Sequence, residues 1–309
     1  MPLEVNDVDK GGTPAYPNFF IVGAAKSGST SLWMYLKQHP DIFMPEDIRM
    51  KEPAFFCKIN GVHHHEGQED RYLDLFSDAG DCKAVGEAST TYLTYPESAA
   101  WIQRVVPDAK VIVILRNPVG RAYSLYRWMV NHGHEWLTSF EAALEKEPDR
   151  RTDAEFFSGN PHTFYDYLYF ESGLYSEQLA RYFGVFPASQ IKVILLDDLY
   201  RKPLETTREV YAFLGVDDSF EPEIKVHNKA EYRPASIRLH FLLSRLKHRY
   251  RHTRRGHLAE ILFDLNISLF KLKWPKIDDA VRARLAEAYR SDIQATQRMT
   301  GKDLSAWLD

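Results

Sequence analysis

The sequence predicts an α/β fold with a mostly parallel sheet, helices on both of its faces, and a helical C-terminal region. Three observations lead there. Apolar, β-branched runs stand at 19–22 (FFIV), 110–115 (KVIVIL) and 191–196 (IKVILL). They show little alternation, as strands buried on both faces do. Segments of helical periodicity lie between them, and strands that alternate with helices assemble into a parallel sheet. A chain of 309 residues, 44% hydrophobic and 13% aromatic, has the material for such a core.

Residues 1–17 are polar and carry acids, so they read as a flexible lead-in to a single domain spanning 18–309. The first strand breaks at Gly23. Small residues fill 23–30 (GAAKSGST), and apolar positions resume with helical spacing at Leu32, Trp33 and Leu36. Pro40, Pro45 and Pro53 break up 40–60, and the polar stretch 61–70 (GVHHHEGQED) reads as a surface loop. A short apolar segment at 84–88 and a helix at 96–106 lead into KVIVIL. Asn117 and Pro118 then start a helix, the first as N-cap and the second at the first helical position. Helices are expected over 171–183, bounded by Gly184, and over 203–214, stopped by Gly215. Residues 236–277 differ in character. Arg238, Arg245, Lys247, Arg249, Arg251, Arg254 and Arg255 crowd 238–255 with no acid among them, and leucines are interleaved. This basic helical excursion is either a solvated charged face or a lid or contact surface for an anionic or amphipathic acceptor. A last helix over 278–299 ends near Gly301.

Strand, small-residue loop, helix is the architecture of a phosphate cradle, because backbone N–H groups and the helix dipole point at an anion. The bland alternative is an ordinary turn with a solvated lysine. Lys26 precedes Gly28 by two positions, so the loop is not a Walker A motif, which places lysine directly after glycine. Lys26-Ser27-Gly28-Ser29-Thr30, with Ser31 beyond, resembles instead the 5′-phosphosulfate loop of sulfotransferases that use 3′-phosphoadenosine-5′-phosphosulfate (PAPS). Arg116 ends the KVIVIL strand, where open α/β sheets place ligands, and Ser124 lies eight positions on. A guanidinium fork and a hydroxyl suit an isolated phosphate monoester. The pair resembles the 3′-phosphate signature of the same family. KEPAFF (51–56) is similar to the KE-x-x-FF segment of its heparan-sulfate-type and bacterial branch, and GEASTTYL (86–93) to the segment lining the acceptor site there. Ala54 and Ala88 depart from the histidine and lysine that heparan-type enzymes often carry, which points away from a heparan-like acceptor. HNKAEYRPAS (227–236) falls where the family folds a loop over the nucleotide, so Asn228, Lys229 and Arg233 join the 3′-phosphate set.

The resemblance implies a P-loop-like three-layer sandwich and in-line sulfuryl transfer from PAPS to an acceptor hydroxyl, with 3′-phosphoadenosine-5′-phosphate (PAP) as product and no metal required. It implies Glu52 as base and Lys26 as stabiliser of the leaving group, with Glu87 and His227 as rival bases. Positioning and electrostatics dominate such displacements. The expected acceptor is a small molecule, glycan, lipid or polyketide. A kinase, which would need an intact Walker A lysine, and a non-catalytic nucleotide-binding protein are the rival functions.

Net charge is −4, which argues against a general nucleic-acid binder. Cys57 and Cys82 exclude a disulfide framework. The N-terminus lacks the basic start and apolar core of a signal peptide, and no apolar run reaches the ~18 residues of a membrane span. A soluble cytoplasmic protein, monomeric or homo-oligomeric, is expected. Adjacent histidines at 63–65 seldom converge on a metal.

Overall fold

The computed structural model describes residues 16–59, 62–63, 68–153, 155–156, 164–225 and 232–308. The chain divides into two compact units, Met1–Arg116 with Ser176–His227, and Asn117–Tyr175 with Asn228–Asp309. The first begins with β1 (Phe19–Gly23), α1 (Ser29–Leu36), β2 (Ile42–Phe43), β3 (Lys58–Ile59), β4 (Val62–His63), α2 (Glu69–Asp74), β5 (Ala84–Glu87), α3 (Ser98–Val105) and β6 (Lys110–Leu115). The second contributes α4 (Pro118–Asn131) and α5 (Phe140–Thr152). After α6 (Tyr175–Phe183), the first unit continues with β7 (Ile191–Leu195), α7 (Leu196–Arg201) and α8 (Pro203–Leu214). The second closes with β8 (Tyr232–Arg233), α9 (Ile237–Arg249), α10 (Arg254–Ser268), β9 (Leu272–Lys273) and α11 (Asp279–Thr300).

The core of the first unit is a five-stranded sheet in the order β2-β5-β1-β6-β7. Every pairing in it is parallel, with Phe19 beside Lys110 and Val111 beside Ile191. Val111 to Leu115 are wholly buried, which explains their unbroken apolar character. On one face, Phe19, Ile21, Ile112 and Ile114 pack with Leu32, Trp33 and Leu36 of α1 and Val210, Tyr211 and Leu214 of α8. On the other, the Phe20 ring meets Phe56 and Tyr92 edge-on at 5.6 and 6.5 Å, and the Tyr182 hydroxyl of α6 donates to Tyr92 O at 2.9 Å. Gly86 leaves room for the Phe19 ring, which a Cβ there would meet at 2.3 Å.

Several boundaries differ from expectation. Ile42–Phe43 is an edge strand on β5 inside a segment expected to be irregular. Two residues between Pro40 and Pro45 are too few for a period to show. The apolar segment at 84–88 is β5 itself, Ala84–Glu87, and lies second in the sheet. The helix expected over 171–183 splits into a 3₁₀ turn, Glu171–Gly173, and α6, because Leu174 leaves the helical region at φ −81° and ψ 89°. IKVILL yields its last residue to α7. Residues 1–15 of the lead-in lie outside the described residues, and Tyr16 donates its hydroxyl to Glu69.

In the second unit, Asn117 caps α4 as expected, its Oδ1 accepting from Val119 N at 3.0 Å. A buried ion pair joins Arg150 to Glu135 at 2.7 and 2.8 Å, and Tyr169 donates to the same carboxylate at 2.8 Å. The 236–277 segment forms two helices, α9 and α10, closed by the antiparallel pair β8–β9.

Candidate active site

The sheet's strand order decides where a ligand has room. The chain leaves β1 toward β2 on one side of the sheet and leaves β6 toward β7 on the other. Loops that part in opposite directions open a crevice at the carboxyl ends of parallel strands. The loop 24–28 leaves β1 there, and Arg116 leaves β6. Arg116 Nη1 donates to Lys26 O at 3.1 Å, so two segments far apart in sequence meet at this switch point.

Three backbone features shape the loop. Ala24 N donates to Ile114 O at 2.8 Å, which extends β1's pairing into the loop. Lys26 is held in the left-handed region at φ 67°, a conformation that costs a non-glycine residue of order 1–3 kcal/mol and collects at ligand sites. Gly28 follows at φ 95° as the N-cap of α1, and no side chain caps this helix end. The first-turn N–H groups at 29–31 therefore have no N-cap side-chain acceptor among the described residues, as at an anion-binding helix end. Ser27 is fully buried, and its Oγ lacks a hydrogen-bond partner among the described residues. A buried orphan hydroxyl beside a lysine and an uncapped helix end fits an incoming polyanion.

Beside this loop lies the second cluster. Lys51 is buried, and its Nζ donates to Ser29 Oγ at 3.2 Å, Glu52 Oε1 at 2.7 Å and Ala88 O at 3.2 Å. It joins the first residue of α1 to the candidate base. Glu52 Oε2 accepts from Thr90 N at 3.2 Å and Thr90 Oγ1 at 2.8 Å. The Glu52 side chain nonetheless stays 41% exposed. Desolvation by the surrounding protein opposes its ionisation, but the Lys51 charge and hydrogen bond and the two Thr90 donors outweigh it. Its pKa falls below the ordinary carboxylate value, so Glu52 is an anion at neutral pH.

Glu87 has a different environment. It is fully buried at the end of β5, and it accepts from Tyr92 at 2.6 Å, from Tyr72 at 2.8 Å and from Ser89 Oγ. Burial pushes it up to about 7 against those three donors. Ser89 Oγ also accepts from Ala54 N at 2.9 Å, and the Tyr92 hydroxyl accepts from Phe56 N at 3.2 Å. Through these contacts Glu87 fixes 54–56 against 87–92. Ala54 turns at φ 54° within this seam.

Spacing in the sequence did not reveal Lys51, Thr90 or Ser89 as parts of the cluster, although the KEPAFF and GEASTTYL motifs contain all three. Ser124 lies in α4 and Arg233 in β8, both partly buried and both in the second unit. Asn228, Lys229 and His227 lie outside the described residues, as do His64 and His65. Among the described residues, no three His, Cys, Asp or Glu side chains are placed to hold a metal ion.

A family model described as "Sulfotransferase family" matches residues 17–222, two thirds of the chain. The chain belongs to the sulfotransferase family. A solved sulfotransferase from Alicyclobacillus acidocaldarius is 31% identical and superposes with a TM-score of 0.70, covering 96% of this chain and 100% of that one. The mouse bifunctional heparan sulfate N-deacetylase/N-sulfotransferase 4 is 29% identical over 213 residues, covering 65% of this chain and 22% of that protein. The chain therefore spans about a fifth of such relatives' length. The membrane-associated sulfotransferase kil1 of Dictyostelium discoideum is 25% identical over 293 residues, covering 71% of this chain and 60% of that protein. Membership of this family favours sulfuryl transfer over the kinase and scaffold readings. No helix among the described residues is long and apolar enough to cross a membrane.

Proposed function

We propose that this sulfotransferase takes its sulfuryl group from PAPS and transfers it to an acceptor hydroxyl, with Glu52 as base and Lys26 at the leaving group. One observation carries the reading: Lys51 ties the exposed Glu52 carboxylate to Ser29 at the start of α1, which puts a base beside a phosphate-type cradle. Glu52 accepts the proton of the acceptor hydroxyl as its oxygen attacks sulfur. The bond from sulfur to the 5′-phosphate oxygen breaks, and Lys26 and the α1 N–H groups compensate the charge that develops there. In-line displacement needs no covalent enzyme intermediate. Arg116 is assigned to the 3′-phosphate, and the sequence resemblance adds Ser124, Asn228, Lys229 and Arg233.

The acceptor class is a small molecule, glycan or lipid. Ala54 and Ala88 weigh against the heparan-type acceptor named for the mouse relative. Two cysteines in 309 residues suit a reducing, cytoplasmic setting.

Calorimetric titration with PAP, with AMP and with ATP·Mg²⁺ tests the donor. Tight binding of PAP alone is expected. Equal affinity for PAP and AMP would sink the 3′-phosphate site, and preference for ATP·Mg²⁺ would sink PAPS as donor.

A further inference from the structure

The two helices α9 and α10 carry an apolar surface that the transfer chemistry does not use. Eight of the twelve exposed large hydrophobic side chains among the described residues lie between 239 and 270. They are ordered. On α10, Leu258, Ile261, Leu262, Leu265 and Leu269 recur at three- and four-residue spacing, which places them on one helix face. Each is between 44% and 66% exposed. The opposite face is filled. Gly256, Ala259 and Asn266 are buried, and Phe263 stacks on His240 of α9 at 3.7 Å. α9 in turn packs inward through Ile237, His240, Leu243 and Ser244, with His240 Nε2 3.0 Å from Asn131 O. The aliphatic stripe of α10 is thus the face left over once the helix pair has been docked.

Cations share this helix pair with the stripe. Arg238, Leu242, Arg245 and Arg249 form the exposed row of α9, and Arg254 and Arg255 stand one turn ahead of Leu258. Only two acids lie between 238 and 270 in the sequence, against seven Arg and Lys residues. One of them, Glu260, is 3.0 Å from Lys247 Nζ, and the other is Asp264. This cationic segment belongs to a chain whose net charge is −4. Long aliphatic side chains flanked by arginines on an uncovered helix match an interfacial helix that lies in the headgroup plane of an anionic bilayer. A second copy of the chain fits less well, because a two-fold interface would set the same arginines against one another.

We propose that the α9–α10 helix pair docks the enzyme on an anionic membrane surface, the α10 aliphatic stripe entering the headgroup boundary and the arginines pairing with lipid phosphates. Flotation of the full chain with phosphatidylcholine vesicles, with and without phosphatidylglycerol, tests this. Anionic vesicles are expected to bind about ten-fold more protein or better, with the gain lost at high salt. Arg254→Ala and Arg255→Ala are each expected to weaken binding about five-fold, the change that ~1 kcal/mol per cation represents. The pair Leu262→Ser/Leu265→Ser is expected to abolish flotation while far-UV circular dichroism stays unchanged. Equal binding to neutral and anionic vesicles would overturn the proposal. Arginine effects without leucine effects would also overturn it, in favour of a soluble polyanion. A doubled mass in light scattering that the leucine pair restores to monomer would reassign the face to self-association.

Discussion

At Glu52 the protein trades base strength for readiness. A carboxylate held below its ordinary 4.5 is a weak base, yet it is deprotonated across the working range. Because the folded pKa is lowered, the ion pair stabilises the fold above pH 4.5 and is lost as pH falls through the folded value. The rate of the wild-type enzyme is therefore expected to show no limb from Glu52 above about pH 5. Lys51→Met removes the dominant lowering influence and leaves desolvation in control, so an acid limb should climb toward neutrality. A pH–rate profile that does not move would separate Lys51 from the base. Glu52→Gln should cut kcat by about 10²–10⁴ and leave PAP affinity unchanged in calorimetry; retained turnover would pass the role of base elsewhere. Glu87 behaves in the opposite sense. Its folded pKa is raised from 4.5 to about 7, so folding takes up a proton between those values, and stability falls as pH rises through that window. Glu87→Gln should flatten the slope, making up about 3 kcal/mol relative to wild type between pH 4.5 and 7 in urea unfolding. None of this pairing was legible in sequence. Neighbours such as Lys51 and Glu52 have no spacing rule that brings them together.

Among the elements, the loop between β1 and α1 is the most exacting. Gly28 holds φ 95°, and a Cβ there would meet Leu196 Cδ1 of α7 at 2.5 Å. Gly28→Ala is expected to destabilise by about 1–3 kcal/mol through strain and overpacking together. Leu196→Ala in the same chain should relieve the clash but not the φ penalty, so a double-mutant cycle should return part of the loss. Full additivity would show that the two side chains do not compete for the space. The strands were legible where burial dominates: KVIVIL and IKVILL announce themselves because every position but one lysine in each is apolar. β2 was not, since a two-residue edge strand is defined by its partner β5 rather than by its own pattern. The break in the expected 171–183 helix at Leu174 was equally silent. Nothing in GLYSEQ forbids a continuous helix, and tertiary contacts decide it, with Tyr175 N donating to Asp292 Oδ2 at 2.8 Å.

For the whole molecule, the alternation of strand and helix was readable from the sequence because buried runs announce themselves, whereas the strand order β2-β5-β1-β6-β7 came only with the pairings. The site was readable only where a motif lies on one loop. Lys26, Glu52 and Arg116 all belong to the unit that carries the sheet, and a ligand held at the switch point should stabilise the folded chain by mass action. At a PAP concentration one hundred times its Kd, the gain is about 2.7 kcal/mol. With ~2.1 cal/mol/K of unfolding entropy per residue over 309 residues, that corresponds to a rise of about 4 °C in melting temperature. Arg116→Ala is expected to weaken PAP by about 1.5–3 kcal/mol, the loss of a charged hydrogen bond, and so to remove most of the rise at the same concentration. AMP, which lacks the 3′-phosphate, should give wild type and Arg116→Ala the same small shift. Scanning calorimetry of both proteins with both nucleotides checks all four values at once. If Arg116→Ala lowers the AMP and PAP shifts equally, the arginine serves the loop through its bond to Lys26 O rather than the 3′-phosphate.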